Sequence, residues 1–329
     1  MSSPATERLR PRAAPPAASL AEGLALVEAR LERQLQSREP LLTDIASYLV
    51  ESGGKRVRPL VTLLVFRACG GGDLDDIVDV AAALELIHSA SLLHDDIIDR
   101  SDTRRGKPSA FRAFGLANTL VTGDFVFSRA FQLCARFEER LINWAAEACV
   151  SLTEGEVMQG RFRRNPSVTQ ADYLEIISRK TASIFQQGAR TAAYLAAADE
   201  ALVSAMAECG FHVGMAFQIV DDLLDVEGVA GDVGKPVGLD VQEGNPSLPI
   251  VLALPREPEV ARVFCMAAPS ADDVAAALAR LRACGVLAEV RTLAAHYGEQ
   301  ARQCLELLPP SADRTQLRAL VDQLLDRTR

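Results

Sequence analysis

The stretch from Ile87 to Pro108, IHSASLLHDDIIDRSDTRRGKP, concentrates the residue types best suited to chemistry in this chain. Asp95 and Asp99 stand four apart and so share one face of a helix; His88, seven residues before Asp95, falls on nearly the same stripe. The carboxylates end a breaker-free apolar run, Leu84 to Leu93, where uncompensated charge is costly. A hard divalent cation relieves that repulsion, and Mg²⁺ characteristically takes one or two carboxylates together with substrate phosphates. Downstream lie Arg104, Arg105 and Lys107, in a polar loop closed by Gly106 and Pro108. Cations there suit phosphate oxygens, so the stretch reads as a Mg-diphosphate site.

The DDxxD spacing occurs three times, so the pattern alone decides little. Asp75, Asp76 and Asp79 precede an apolar helix, where acidic residues meet the positive end of the helix dipole, and no basic cluster follows them. They read as structural. Asp221, Asp222 and Asp225, in FQIVDDLLD, instead end an apolar helix, where negative charge opposes the dipole. Gly214, Gln218, Asp221 and Asp225 form one stripe at three- and four-residue steps. Two helices with the same electrostatic fault suggest a shared cation. Lys55, Arg56 and Arg58 precede a helix start whose free N–H groups already favour anions. Lys180-Thr181, Lys235 and His88 mean little singly; their combination with two acidic clusters carries the inference.

These residues need long helices to position them. Alanine is abundant and aromatics only 5%, which favours closely packed helices over sheets. Periodicity predicts helices from Ser19 through Leu35, Leu41 to Glu51, from Pro59 onward, Ala117 to Arg136, Ile142 to Gln159 and Glu200 to Asp225. Thr169 is expected to cap a helix running through Lys180-Thr181. Residues 228–249 form the longest polar, Gly- and Pro-rich segment and read as a lid. No strand or tandem repeat is expected: the chain reads as all-α, one domain over residues 19–329, after a disordered tail of residues 1–18. A net charge of -9 argues against nucleic acid as a partner. Seven scattered cysteines without a CxxC pair suit buried, reduced thiols and a cytoplasmic location. No apolar run reaches the length of a membrane span, and the first residues lack a secretory core, although the tail's composition also admits a transit peptide.

The set of motifs resembles the trans-isoprenyl diphosphate synthase family, also called polyprenyl synthetases, from about Leu24 to the C-terminus. It comprises GGKRVRP (Gly53 to Pro59), LLHDDIID (Leu92 to Asp99), RRGKP (Arg104 to Pro108), GDF (Gly123 to Phe125) and GEVMQG (Gly155 to Gly160). KT (Lys180-Thr181), FQIVDDLLD (Phe217 to Asp225) and GKPVGLD (Gly234 to Asp240) complete it. The resemblance implies a large antiparallel helical bundle around a central cavity, usually a homodimer. It implies Asp95, Asp99 and Asp221 as ligands of Mg²⁺, three ions per site with diphosphate bound, with Asp96, Asp222 and Asp225 in support. Lys55, Arg58, His88 and Arg105 would hold isopentenyl diphosphate; Arg104, Lys180, Thr181, Gln218 and Lys235 would face the allylic diphosphate. One departure stands out. The family commonly carries a lysine near Asn245, where this chain reads GNPSLP.

The chemistry fits the residues. Ionising an allylic diphosphate requires stabilising the departing charge, which metals and Arg/Lys clamps do. The double bond of isopentenyl diphosphate then attacks the cation and a proton is lost. An apolar cavity excludes the water that would quench that cation. The expected product is a medium- or long-chain all-trans polyprenyl diphosphate. Small residues at Ala90 and Ser91, just ahead of Asp95, are associated in the family with long products, with the next constriction at Leu86 or Ile87, or at Phe127 and Phe131. Rival readings are a geranylgeranyl or farnesyl diphosphate synthase on the same fold, and a non-catalytic subunit of a heteromeric synthase. A class I terpene cyclase fits poorly, because the second cluster is DDLLD rather than an NSE-type motif.

Overall fold

The computed structural model describes residues 19–51, 54, 56–104, 106–228 and 237–326. The expected tail and three expected site residues, Lys55, Arg105 and Lys235, lie outside them.

Helix α1 (Leu20–Gln34) opens on a reciprocal cap. Ser19 Oγ accepts from the Glu22 N–H, while the Glu22 carboxylate accepts from the Ser19 N–H. After α2 (Pro40–Glu51), α3 (Val57–Ala68) begins two residues ahead of the expected start. Pro59 is therefore its third residue, where the missing N–H has no intrahelical partner to lose. Helix α4 (Asp75–Ile98) carries the first chemical cluster at its C-terminal end. Between it and the next helices lies a two-residue ladder, β1 (Thr103–Arg104) against β2 (Lys107–Pro108), too short to leave a strand pattern in the sequence. The bundle continues with α5 (Ala110–Phe114), α6 (Leu116–Cys134), α7 (Glu139–Phe162) and α8 (Gln170–Ile177), the last capped by Thr169 as expected. A π-helical turn, Ser178–Ala182, joins α8 to α9 (Ser183–Leu195) where an unbroken helix was expected. Then come α10 (Glu200–Glu227) and α11 (Leu239–Glu243), followed by α12 (Leu248–Ala253) and α13 (Pro258–Phe264). Helices α14 (Ala271–Ala283), α15 (Val286–Leu305) and α16 (Ala312–Asp326) finish it. The fold is all-α, as the periodicity predicts.

Two helices organise the packing. Helix α4 lies along α6, α3 and α1, and α10 lies between α9 and α15. Both are long and apolar enough to cross a membrane by length and composition, contrary to expectation, but 78% and 67% of their apolar windows are buried in the bundle. Their apolar surface faces protein. Leu86, Leu93, Ile219 and Leu223 are fully buried, each contributing about 1.5–3 kcal/mol relative to exposure. One apolar core gathers around α3, α4, α6 and α9, a second around α10, α12 and α15, and Phe217 packs against both. The thiols are only partly buried as expected: Cys134, Cys149 and Cys209 are buried, Cys265 is exposed, and all seven are free.

Candidate active site

At the end of α4 the three aspartates do different things. Asp96 is fully buried and accepts from Arg104 Nε at 2.6 Å and from the Ala110 N–H at 3.3 Å. It therefore ties down the loop that carries Arg104, and it does not face the same side as Asp95 and Asp99. Asp95 is buried too, and its carboxyl is pushed up to about 7: burial dominates, Lys180 opposes the rise, and Glu156 and Asp99 add to it. Asp99, half-buried, pairs with Arg163.

Lys180 reaches this cluster from the π-helical turn, a feature frequent at functional sites. The turn packs so closely on α7 that a Cβ on Gly155 would lie 2.5 Å from the Lys180 backbone nitrogen, which only glycine tolerates. Lys180 Nζ lies 3.7 Å from Asp95 Oδ2, donates to Gln159 Oε1 at 3.1 Å and pairs with Glu156. Burial works against its charge, but Asp95 and Glu156 hold its pKa above the usual lysine value. The next residue, Thr181, donates its hydroxyl to Gln218 Oε1 at 2.9 Å. The turn thus touches α4 on one side and α10 on the other.

The second cluster repeats the division of labour. Asp222 is buried and accepts from Tyr173 Oη at 2.7 Å, Gln218 Nε2 at 2.8 Å and the Leu248 N–H at 3.0 Å. Burial still pushes it to about 7, against those three hydrogen bonds. Asp225 accepts from the Leu239 and Asp240 N–H groups, both at 3.1 Å, at the start of α11. That leaves Asp221 as the exposed member. Arg163, at the C-cap of α7, ties the first cluster to the α11 segment: it donates to Asp99 and to Asn245 Oδ1 at 3.0 Å, and Asn245 Nδ2 donates to Glu243 Oε2 at 2.9 Å.

Among the described residues, no three His, Cys, Asp or Glu side chains converge into a preformed metal cage. The donor set nonetheless fits Mg²⁺, which needs few carboxylates when substrate oxygens supply the rest. Burial raises the carboxyls of Asp225 and Asp240 and takes Glu243 up to about 7, so this end of the bundle lacks compensating charge. A divalent cation is the kind of group that restores it.

The other expected residues separate. Arg58, at the start of α3, stacks over the rings of Phe185 (5.2 Å) and Phe217 (5.8 Å). His88 is half-buried, and its carbonyl accepts from Ser91 Oγ at 2.8 Å. Below Ser91 lies a cavity of about 20 Å³ whose α4 wall is Val80, Ala83, Leu84 and Ile87, faced by Phe137, Leu141 and Thr191. Of the expected constrictions only Ile87 lines it. Leu86 is buried on another side of α4, and Phe131 is exposed with its ring against Phe127. Ala90 is fully buried and, seven residues from Ala83, lies about 20° from it around the helix, so it belongs to the cavity side. The structural reading of the Asp75 cluster has its physical reason: Asp79 pairs with Arg30 of α1 and with Arg136 in the loop after α6, and Asp76 with Arg136. Sequence reasoning gave no role to Glu156, Gln159, Arg163 or Tyr173. The i, i+3 spacing of Glu156 and Gln159 was a usable signal; Arg163 and Tyr173 meet partners far along the chain and left none.

A family profile, Polyprenyl synthetase, matches residues 39–281. The octaprenyl diphosphate synthase of Escherichia coli (strain K12) is 35% identical over 315 residues, covering 94% of this chain and 97% of that one. Among solved structures, a decaprenyl diphosphate synthase from Rhodobacter capsulatus superposes with a TM-score of 0.87 at 34% identity, covering 94% of this chain and 97% of that one. A polyprenyl synthase from Caulobacter crescentus, complexed with calcium and isoprenyl diphosphate, gives 0.88 at 34%, covering 94% and 95%. With two acid-bearing helix ends bridged by Lys180 and all-α neighbours matched over nearly the whole chain, this protein belongs to the polyprenyl synthetase family and is a prenyltransferase.

Proposed function

We propose that the chain condenses isopentenyl diphosphate with an allylic diphosphate, dependent on Mg²⁺, and repeats the step to an all-trans polyprenyl diphosphate. The observation that carries this is the π-helical turn, whose Lys180 meets Asp95 while Thr181 meets Gln218. It joins the two acidic helix ends around one space. Asp95, Asp99 and Asp221 would hold the metal, up to three ions, and bound Mg²⁺ supplies Lewis-acid stabilisation of the departing diphosphate. Arg104, Lys180, Thr181, Gln218 and Lys235 would orient the allylic diphosphate, and Lys55, Arg58, His88 and Arg105 isopentenyl diphosphate. Asp96, Asp222 and Asp225 hold the loops that bring these groups together. The Caulobacter relative, solved with a divalent cation and isoprenyl diphosphate, supports the pairing of metal and ligand class.

Product length would be set by the wall along α4, where the small cavity must open to take the growing tail. From Asp95 to Asp75 is twenty residues, about 30 Å at 1.5 Å per residue. An isoprene unit adds four chain bonds, about 4.5–5 Å when extended, given about 3.6 Å for three backbone bonds. A tail running the full length of α4 therefore holds about six units, the lower end of a range of about six to ten. Exposed Leu116, Leu120 and Val121 on α6, with Val150 and Val157 on α7, support a self-complementary face and hence a homodimer. A single domain over residues 19–329 in the cytoplasm completes the proposal.

The test is incorporation of labelled isopentenyl diphosphate by purified protein. It should require both Mg²⁺ and an allylic primer and stop with EDTA. Failure with every primer at saturating Mg²⁺ would favour the non-catalytic subunit instead.

A further inference from the structure

Arg163 and Arg164, adjacent at the end of α7, are built to do different jobs. Arg163 has extended backbone (φ -60°, ψ 125°) and Arg164 is left-handed at φ 56°, so the two side chains diverge. Arg164 serves main-chain carbonyls alone: Nε donates to Met266 O at 2.7 Å, Nη1 to Glu243 O at 2.5 Å, and Nη2 to Ala267 O and Gln242 O at 3.1 and 3.3 Å. Its N–H donates to Gly244 O at 2.9 Å. Gly244 must be glycine here, having φ +69° and only 2.4 Å between an added Cβ and Arg164 Cγ. This clamp seats the α11 segment against α7 without using an acidic side chain.

Arg163 is thereby free for the site. Its side chain is four-fifths buried, with Nε and Nη2 donating to Asn245 Oδ1 at 3.1 and 3.0 Å. The bond from Asn245 Nδ2 to Glu243 fixes that amide with its oxygen toward the guanidinium. Nη2 also meets Asp99, while Nη1 has only a long 3.4 Å contact with Ile98 O. The neighbouring cations are more firmly committed: Arg104 to the fully buried Asp96, and Lys180 to Glu156 and Gln159. Arg163 instead balances Asp99, a carboxylate on the same helix face as Asp95. A planar fork held at one edge by an uncharged amide is well suited to exchange a carboxylate for a phosphate.

We propose that Arg163 is a further diphosphate-binding residue of the allylic site, tethered by Asn245. Without ligand it is the internal counter-ion of Asp99; with a metal-bound diphosphate it gives up Asp99 and takes phosphate oxygens. The inference rests on the diphosphate reading of this site. It also accounts for an uncharged residue at position 245, because the cation arrives from α7.

Calorimetric titrations with Mg²⁺ alone, and with inorganic pyrophosphate plus Mg²⁺, separate the possibilities. Arg163→Gln should weaken Mg-pyrophosphate binding about tenfold to a hundredfold, the usual range for a lost charge-assisted hydrogen bond. Binding of Mg²⁺ alone should be unchanged or tighter, because Asp99 loses a competitor. Arg163→Lys, which keeps the charge but not the fork, should fall between the two, and the double variant Arg163→Gln/Asn245→Lys should regain affinity. Unchanged pyrophosphate affinity in Arg163→Gln would overturn the proposal, and so would an equal loss of Mg²⁺ alone, the mark of a merely structural ion pair. If wild type itself fails to bind Mg-pyrophosphate, it is the diphosphate reading that fails.

Discussion

Replacing Ala83 by phenylalanine should shorten the product to about four isoprene units while sparing the first condensation. Ala83 lines the cavity under the first acidic cluster and is buried at 2% exposure, so an added ring must project into the cavity or displace its opposite wall, Phe137 and Leu141. It stands twelve residues below Asp95, about 18 Å along the axis, which admits about four units of 4.5–5 Å each. Overpacking of this kind costs about 1–3 kcal/mol, within the total stability of a domain of this size. Thermal unfolding should therefore show a lowered but cooperative transition. Products are sized by reversed-phase chromatography after dephosphorylation, alongside Ala90→Phe, which sits five residues below Asp95, about 7.5 Å, and should stop about two units earlier still. The graded order is the point. If Ala83→Phe folds and leaves the product distribution of wild type unchanged, the tail does not run along this wall, and the length estimate falls with it.

Other expectations follow from the same geometry. Asp95→Ala and Asp221→Ala should each cut turnover by at least a hundredfold with helical circular dichroism intact, whereas Asp75→Ala should be nearly silent; comparable losses at Asp75 and Asp95 would reverse the ranking of the clusters. Arg58→Ala should raise KM for isopentenyl diphosphate more than for the primer, and Arg104→Lys should show the opposite bias in the same two-substrate kinetics. Lysine is the substitution of choice there, since Arg104→Ala would strand the buried Asp96 carboxylate at about 3–5 kcal/mol. The ligand-free protein should lose stability as pH rises from about 4 to about 7. Asp95, Asp222 and Glu243 titrate near 7 when folded but near their ordinary carboxylate values when unfolded, so the native state binds more protons across that window. Denaturant titrations at pH 5.5 and 8 check it; greater stability at pH 8 would contradict the burial argument.

Much of this site was legible because helical periodicity reports faces. The four-residue step from Asp95 to Asp99, and the stripe through Gln218 and Asp221, place carboxylates correctly without any tertiary information. Periodicity could also show that Asp96 and Asp222 point elsewhere, but not what meets them. Their partners, Arg104, Ala110, Tyr173 and Leu248, are set by how loops fold back. The Asp75 cluster was discounted because no basic run follows it, yet its cations come from α1 and the loop after α6, which no local window contains. Arg163 was missed for the same reason: Asp99 and Asn245 lie 64 and 82 residues away. The two-residue ladder and the π-helical turn were invisible because each spans only about one repeat of its pattern, too little for a periodicity to show. Pattern gives the faces; only packing gives the partners.

The central claim is that the bridged acidic helix ends elongate a prenyl chain into the space along α4. Its most direct test is a reaction of purified protein with Mg²⁺, farnesyl diphosphate and excess labelled isopentenyl diphosphate, with the products separated by carbon number. The account predicts a ladder of all-trans products ending at about six to ten isoprene units, the length of α4 setting the lower end. A single product of four units from wild type would contradict it.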